Sequence, residues 1–440
     1  MTFTRLILAR IGSFAVFLSM LSGGATFAAG STEFVIYSFP HSAFAAGCQP
    51  QGNLVADTAG NLYGTAACGA LSQGVVFQLT RPAPPITAWT ESLLYTFTGG
   101  SDGAFPLAGV IFDTAGNIYG TTSKGGAFGD GTVFELTPPA TSGSAWTESV
   151  LHSFQGGGID GTFPETGLVW DKSGNLNGVT FSGGSNRTGC TGNCGIVFQL
   201  SPPATAGGAW TETIIHNFSY GQGAFPRGTP IFDAKGNLYG TTYLGGKYGD
   251  GVAYTLVPPA TAGGTWAYRV LHAFGGGTLS DPEGTNPFSA LTIHGKGILY
   301  GTTIHGGLYG SGTVFQLVPP AVTGGAWTEN ILYNFSFAGG GTDGAAPAAN
   351  VIFDSAGNIY GTTTGGGGGL GCACGTVFQL APPATVGAAW TETVLHSFPS
   401  STKDAATPSS SLILWKNGVL YGVAQAGGAG GTGAVFGVVK

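Results

Sequence analysis

Asp113-Thr114-Ala115-Gly116-Asn117-Ile118-Tyr119-Gly120-Thr121-Thr122 decides how the rest of the chain is read, because versions of this stretch recur seven times. The copies end on Gly64, Gly120, Gly178, Gly240, Gly301, Gly361 and Gly422, at a spacing of 56 to 62 residues. A proline stands fourteen residues ahead of each glycine: Pro50, Pro106, Pro164, Pro226, Pro287, Pro347 and Pro408. A short apolar run, then Asp-x-x-Gly-Asn, then a second apolar run is the signature of a hairpin. The Asp side chain caps such a turn, and glycine takes the positive φ that reverses the chain. The turn slot holds Asp57, Asp113, Asp171, Asp233 and Asp354, but His294 and Trp415 in the other two copies. A recurring Asp that sits in a reverse turn is a turn residue before it is a catalytic one.

Each unit continues through a Gly-rich loop to a strand such as Gly131 to Leu136, then Pro138-Pro139, then Trp146 to Phe154. That makes four short strands in roughly 60 residues, with no helical periodicity. Four-stranded units that cannot bury their own faces suit blades around an axis, and a β-solenoid needs a shorter period. The expected fold is all-β: a seven-bladed propeller of four-stranded antiparallel blades, starting near residues 50, 106, 164, 226, 287, 347 and 408. The last unit stops after Val435-Phe436-Gly437-Val438-Val439-Lys440 without a Trp-Thr-Glu segment, while Thr32 to Phe39 matches Thr147 to Phe154. The N-terminal strand 32–39 is therefore expected to complete the last blade and remove an unpaired edge.

Charged residues are 8% of the chain and the net charge is −7, so no basic patch for nucleic acid is available. Residues 1–29 read as a secretory signal: Arg5 and Arg10 precede an uncharged run from Ile11 to Ser22, and small residues end at Ala28-Ala29. Residues 30–440 then form one propeller with no further membrane span. A monomer, secreted or periplasmic, is the expected product. Six cysteines suit export. The repeat alignment pairs Cys48 with Cys68 and Cys190 with Cys194, and leaves Cys372 with Cys374 as the remaining, strained pair.

The segments Gly-Asn-Leu-Tyr-Gly-Thr-Thr, Gly-Thr-Val-Phe-Gln-Leu and Pro-Pro-Ala-Thr, recurring in fixed order over residues 31–440, resemble the bacterial "GloVer" tandem-repeat family of choice-of-anchor proteins. The resemblance implies a secreted or surface protein of unassigned activity and supplies no catalytic residues. Its members differ in how they are anchored. Here no C-terminal anchor is recognisable, which suggests free export.

Length changes between repeats fall in two loops only, between strands two and three and between strand four and the next blade. Both emerge on one face, and variable loops on a rigid scaffold are where binding is expected. The residues after the ruler prolines, Gln51, Leu107, Glu165, Arg227, Phe288, Ala348 and Ser409, should ring the channel mouth on that face. Gln51, Glu165, Arg227 and Ser409 are the ligand-binding candidates, the ligand being a glycan or another envelope component. Glu165, Arg227 and His305 are the weak catalytic candidates of the alternative, a lyase or hydrolase acting on an extracellular polysaccharide. Glu165 and Arg227 also read as a solvated ion pair, and His305 as a surface histidine.

No metal or cofactor is implied. The Gly-Asp loops at 125–131 and 245–251 carry one carboxylate each, which is poor for calcium. Gly99-Gly100-Ser101-Asp102-Gly103 matches a hydrolase elbow by letter but opens no helix. His152, His216, His272 and His396 exchange with Tyr37, Tyr95 and Tyr333, a slot that wants a flat amphipathic ring. One Trp per blade (Trp89, Trp146, Trp210, Trp266, Trp327, Trp390) reads as packing between blades rather than as a sugar-stacking platform. Glu91, Glu148, Glu212, Glu329 and Glu392 read as edge charges on the outermost strand.

Overall fold

The computed structural model describes residues 26–27, 32–40, 47–83, 88–141, 143–186, 188–205, 207–261, 263–277, 282–322, 324–337, 342–368, 374–385, 387–399 and 404–440. Among them the chain is all β, and seven small antiparallel sheets form a ring. Blade four shows the pattern. Ala224–Pro226 and Ile231–Phe232 both pair with Leu238–Leu244, which pairs with Val252–Val257, which pairs in turn with the outer strand Ala267–Ala273. The innermost strand is thus broken in two just after the ruler proline, which has no N–H to give a ladder.

The Asp turns form as the sequence requires. Asp113 Oδ1 accepts the amides of Ala115 and Asn117, while Oδ2 accepts from Asn117 Nδ2 and the Tyr119 hydroxyl. The glycine that follows has another cause. Gly64, Gly120, Gly178, Gly301, Gly361 and Gly422 each lie under the phenylalanine ring of the next strand, and any Cβ there would press into it. The first threonine after it binds across the ring: Thr65, Thr121, Thr241, Thr302 and Thr362 donate to the carbonyls of Ala108, Thr166, Ser289, Ala349 and Ser410 in the following blade.

Burial lies between blades rather than within them. Phe134 and Leu136 of blade two pack with Tyr63, Val76 and Phe97 of blade one. Each junction has such a cluster, including one that joins Val423 and Val435 of blade seven to Phe77 and Leu79 of blade one. Thr32–Ser38 pairs antiparallel with Ala434–Val439, Phe34 opposite Gly437 and Val35 opposite Phe436, and so supplies blade seven with its outer strand. Fully buried Phe39 follows it into the blade-one junction. The expected leader, residues 1–29, lies outside the described residues except for Thr26–Phe27, which runs parallel to the Thr391–Ser397 strand of blade six.

Candidate functional site

The channel mouth is built on strained backbone. The residue before each ruler proline, Gln49, Phe105, Phe163, Phe225, Asn286, Ala346 and Thr407, has φ between 52° and 60°. For non-glycine residues this left-handed conformation costs about 1–3 kcal/mol each. The same bend turns the amide of each residue toward the preceding blade: Phe105 donates to Gln73 O, Phe163 to Asp130 O, Phe225 to Cys194 O, and Gln49 to Thr432 O across the closure. Hydrogen bonds between blades hold the strain, and the next side chain but one is delivered to the axis.

There Gln51, Leu107, Glu165, Arg227, Phe288, Ala348 and Ser409 line one cavity of about 300 Å³, joined by Thr364, just past the strand Ile359–Thr363, and by Gln425 near the end of the strand Val419–Gly427. Arg227 Nη1 lies 2.9 Å from Glu165 Oε2. Its guanidinium sits over Phe181 at 4.4 Å and Phe288 at 5.0 Å from the ring centroids. Burial raises the Glu165 carboxyl above its usual range, and the positive charges of Arg227 and Lys124 oppose that rise. Ser409 Oγ is buried at this mouth without a hydrogen-bond partner in the protein. His305 is not brought to the mouth. It is exposed at the outer end of Ile298–Gly306, opposite Thr285.

The outer strands hold a second set of chemistry-bearing residues, and here the edge-charge reading of the glutamates is corrected. At each junction the Tyr or His of one blade faces the Glu slot of the next. Tyr37 donates to Glu91 at 2.7 Å. His152 Nε2 lies 3.1 Å from Asp160 and 3.7 Å from Glu212, and His272 Nε2 lies 3.7 Å from Glu283 and 3.6 Å from Glu329. Tyr95 donates to Asp102, Tyr333 donates to Asp343, and His396 pairs with Asp404. The rings also pack edge-on against the phenylalanine two residues on, as at His152 and Phe154. Desolvation pushes Glu91, Glu148 and Glu212 up to about 7, and Glu33 and Glu392 up to about 8.

Between blades three and four the set changes together. Gln222 replaces the acid and Tyr268 replaces the Glu, and His216 stacks on Tyr268 at 4.1 Å. Burial lowers His216 to about 4, so the ring is neutral there. At three other junctions (His152, Asp160, Glu212; His272, Glu283, Glu329; Glu33, His396, Asp404) one imidazole and two carboxylates offer atoms within 4.8 Å of one another, a donor set that suits a divalent cation. In the first of these, the His152–Asp160 hydrogen bond already satisfies the ring.

The repeats have a counterpart among known families. The model of the Gloeobacter/Verrucomicrobia repeat matches residues 23–192 and 186–436. The chain belongs to this repeat family. No curated protein matches its sequence. Among solved structures, the Gloeobacter/Verrucomicrobia repeat chain is similar to the polysaccharide lyase Uly1, at 12% identity and a TM-score of 0.49, over 89% of this chain and 90% of that one. It is also similar to a putative oxidoreductase (glucose dehydrogenase) of Thermus thermophilus, at 15% identity and a TM-score of 0.38, over 75% and 95%. Likenesses at this level concern the fold alone.

Two disulfides brace the variable face of this Gloeobacter/Verrucomicrobia repeat protein. Cys48–Cys68 ties the entry of blade one to its second strand, with Cα atoms 5.1 Å apart, and Cys190–Cys194 closes the inserted loop of blade three at 5.5 Å. Cys374 is buried and not a free thiol, and Cys372, its expected partner, lies outside the described residues. Among the described residues no helix is long and apolar enough to cross a membrane.

Proposed function

We propose that this chain is an exported, non-catalytic binding or scaffold propeller that takes its ligand at the channel mouth on the variable-loop face. The disulfides fit an oxidising compartment, extracellular or periplasmic. The carrying observation is the state of the mouth. Arg227 is committed to Glu165 and to two aromatic faces, which fixes a planar polar platform. Around it Gln51 and the unpaired Ser409 hydroxyl offer hydrogen bonds. Fixed polar groups beside apolar wall residues suit recognition of a hydroxyl-rich ligand such as a glycan or another envelope component.

A glycan array on the mature protein, beside the Glu165→Ala/Arg227→Ala double variant, tests this. Binding that the double variant loses at unchanged thermal stability supports the reading, and unaltered binding rejects it.

One observation favours the alternative, a propeller lyase or hydrolase acting on an extracellular polysaccharide. Glu165 has a raised carboxyl beside a cation, the setting of a general acid. It lacks the third group expected of it, since His305 stands elsewhere. Turnover of a polysaccharide that Glu165→Gln abolishes would select this alternative.

A further inference from the structure

The junction between blades three and four carries a groove beside its packed core. In the other six repeats the slot before the Gly-Thr-Thr glycine holds tyrosine: Tyr63, Tyr119, Tyr239, Tyr300, Tyr360 and Tyr421. Its ring fills the groove toward the next blade on the constant face. Tyr63 packs edge-on against Phe112, Tyr119 against Trp170, Tyr300 against Phe353, and Tyr421 against Trp89. Blade three has Asn177 instead. Asn177 is fully buried, and Gln199 Nε2 bonds both to its Oδ1 and to Asp171 Oδ2, the acceptor that a tyrosine hydroxyl takes in blades one, two, four and six. The polar role of the tyrosine is thus replaced, but its ring is not. Trp170, Phe232 and Trp266 border a cavity of about 750 Å³ between blades three and four, and Gln199, which bonds to Asn177, lines it as well.

We propose that this groove is a second ligand site, distinct from the mouth, and that it takes a neutral saccharide. The volume lies in the range of small-ligand pockets, roughly 300–1,000 Å³. Aromatic rings offer faces for the apolar C–H surface of a sugar, while the Gln199 amide oxygen and the Thr213 hydroxyl offer groups for its hydroxyls. The charge balance selects the class. Asp171 and Asp233 line the groove, and the Lys172 ammonium is bound to the Ala234 carbonyl of the next blade, so the lining favours a neutral chain over a uronate or sulfated one. Trp266 thereby departs from the purely packing role that suits the tryptophan of its neighbours.

The test uses the mature protein and neutral hexasaccharides of the cello-, laminari-, xylo-, manno- and chito- series, with an oligouronide as control, read by tryptophan fluorescence and calorimetry. Asn177→Tyr restores the residue of the other repeats and sets a ring against Gln199 in the groove wall, so it should weaken binding of a neutral hexasaccharide about tenfold or more without lowering the melting temperature. Trp266→Ala should do the same, and the Glu165→Ala/Arg227→Ala double variant should leave this binding intact. If no neutral hexasaccharide binds at millimolar concentration, or if the oligouronide binds better, the proposal is overturned. It is equally overturned if both Asn177→Tyr and Trp266→Ala bind as tightly as the parent. Loss only in the mouth variant would assign the sugar to the mouth and reject the groove.

Discussion

Gly433 of blade seven packs directly on Pro50 of blade one. A Cβ at Gly433 would overlap the Pro50 ring, and the glycine holds φ at +113°. The same clasp links Gly74 to Pro106, Gly131 to Pro164, Gly195 to Pro226, Gly251 to Pro287, Gly312 to Pro347 and Gly375 to Pro408. The ruler prolines are therefore contacts between blades. Gly433→Ala should destabilise the protein by about 1–3 kcal/mol from backbone strain alone, with more where the proline must shift. Gly116→Ala meets no neighbour and should cost only the strain of its positive φ, about 1 kcal/mol. Chemical denaturation of the two variants side by side checks the difference.

The threonine that follows each repeat glycine bonds to the next blade, so Thr121→Val should remove one such bond and leave the Thr166 carbonyl unpaired. The expected cost is about 1–3 kcal/mol, that of a buried acceptor left without its donor. Blades three and seven already carry Val179 and Val423 at this position, so the substitution fits sterically. The midpoint of urea unfolding, at constant slope, measures it.

Stability should fall as pH rises from about 4.5 to about 8. Glu91 and Glu148 are pushed up to about 7, and Glu33 and Glu392 to about 8, by burial first and by neighbouring Asp charges second where these are present. The folded chain thus holds protons that the unfolded chain has released, so their contribution is complete below the ordinary carboxylate range and is lost as pH passes 7 to 8. Glu91→Gln and Glu148→Gln should flatten the decline of melting temperature between pH 5 and 8 without abolishing folding. An unchanged slope in both would mean that these carboxyls are ionised in the fold.

His216 carries the opposite dependence. Burial lowers it to about 4, so its contribution is present above the ordinary imidazole value and is lost as pH falls from about 6.5 toward 4. Its imidazole resonances should show no titration between pH 5.5 and 7.5, and a midpoint above 6 would contradict the buried stacking on Tyr268.

Much of this architecture was legible because the repeat supplies its own controls. The Asp turns, the matching of Thr32–Phe39 to the outer strands and the ring of residues after the ruler prolines all follow from comparing one copy with another. The glutamate slot was not legible. Period-two alternation places Glu148, Val150 and His152 on one face, but a bulge between Val133 and Phe134 of the partner pairing breaks the alternation. Val150 is left outward, while Glu148 and His152 are only partly exposed. The available signal was the joint change to Gln222 and Tyr268 around His216, which spans two repeats and is invisible within either. Asn177 was equally visible as a departure. Its meaning required knowing that tyrosine fills a groove shared with the following blade.

The most direct test of the closed ring is thermal unfolding of a chain that begins at residue 39, compared with one that begins at residue 31. The first lacks the strand that pairs with Ala434–Val439. The account predicts a fall in melting temperature on the order of 10 °C or loss of cooperative unfolding, because several buried side chains and one sheet edge are exposed together. An unchanged melting temperature would show that the N-terminal strand does not complete the seventh blade, and the closed ring would be contradicted.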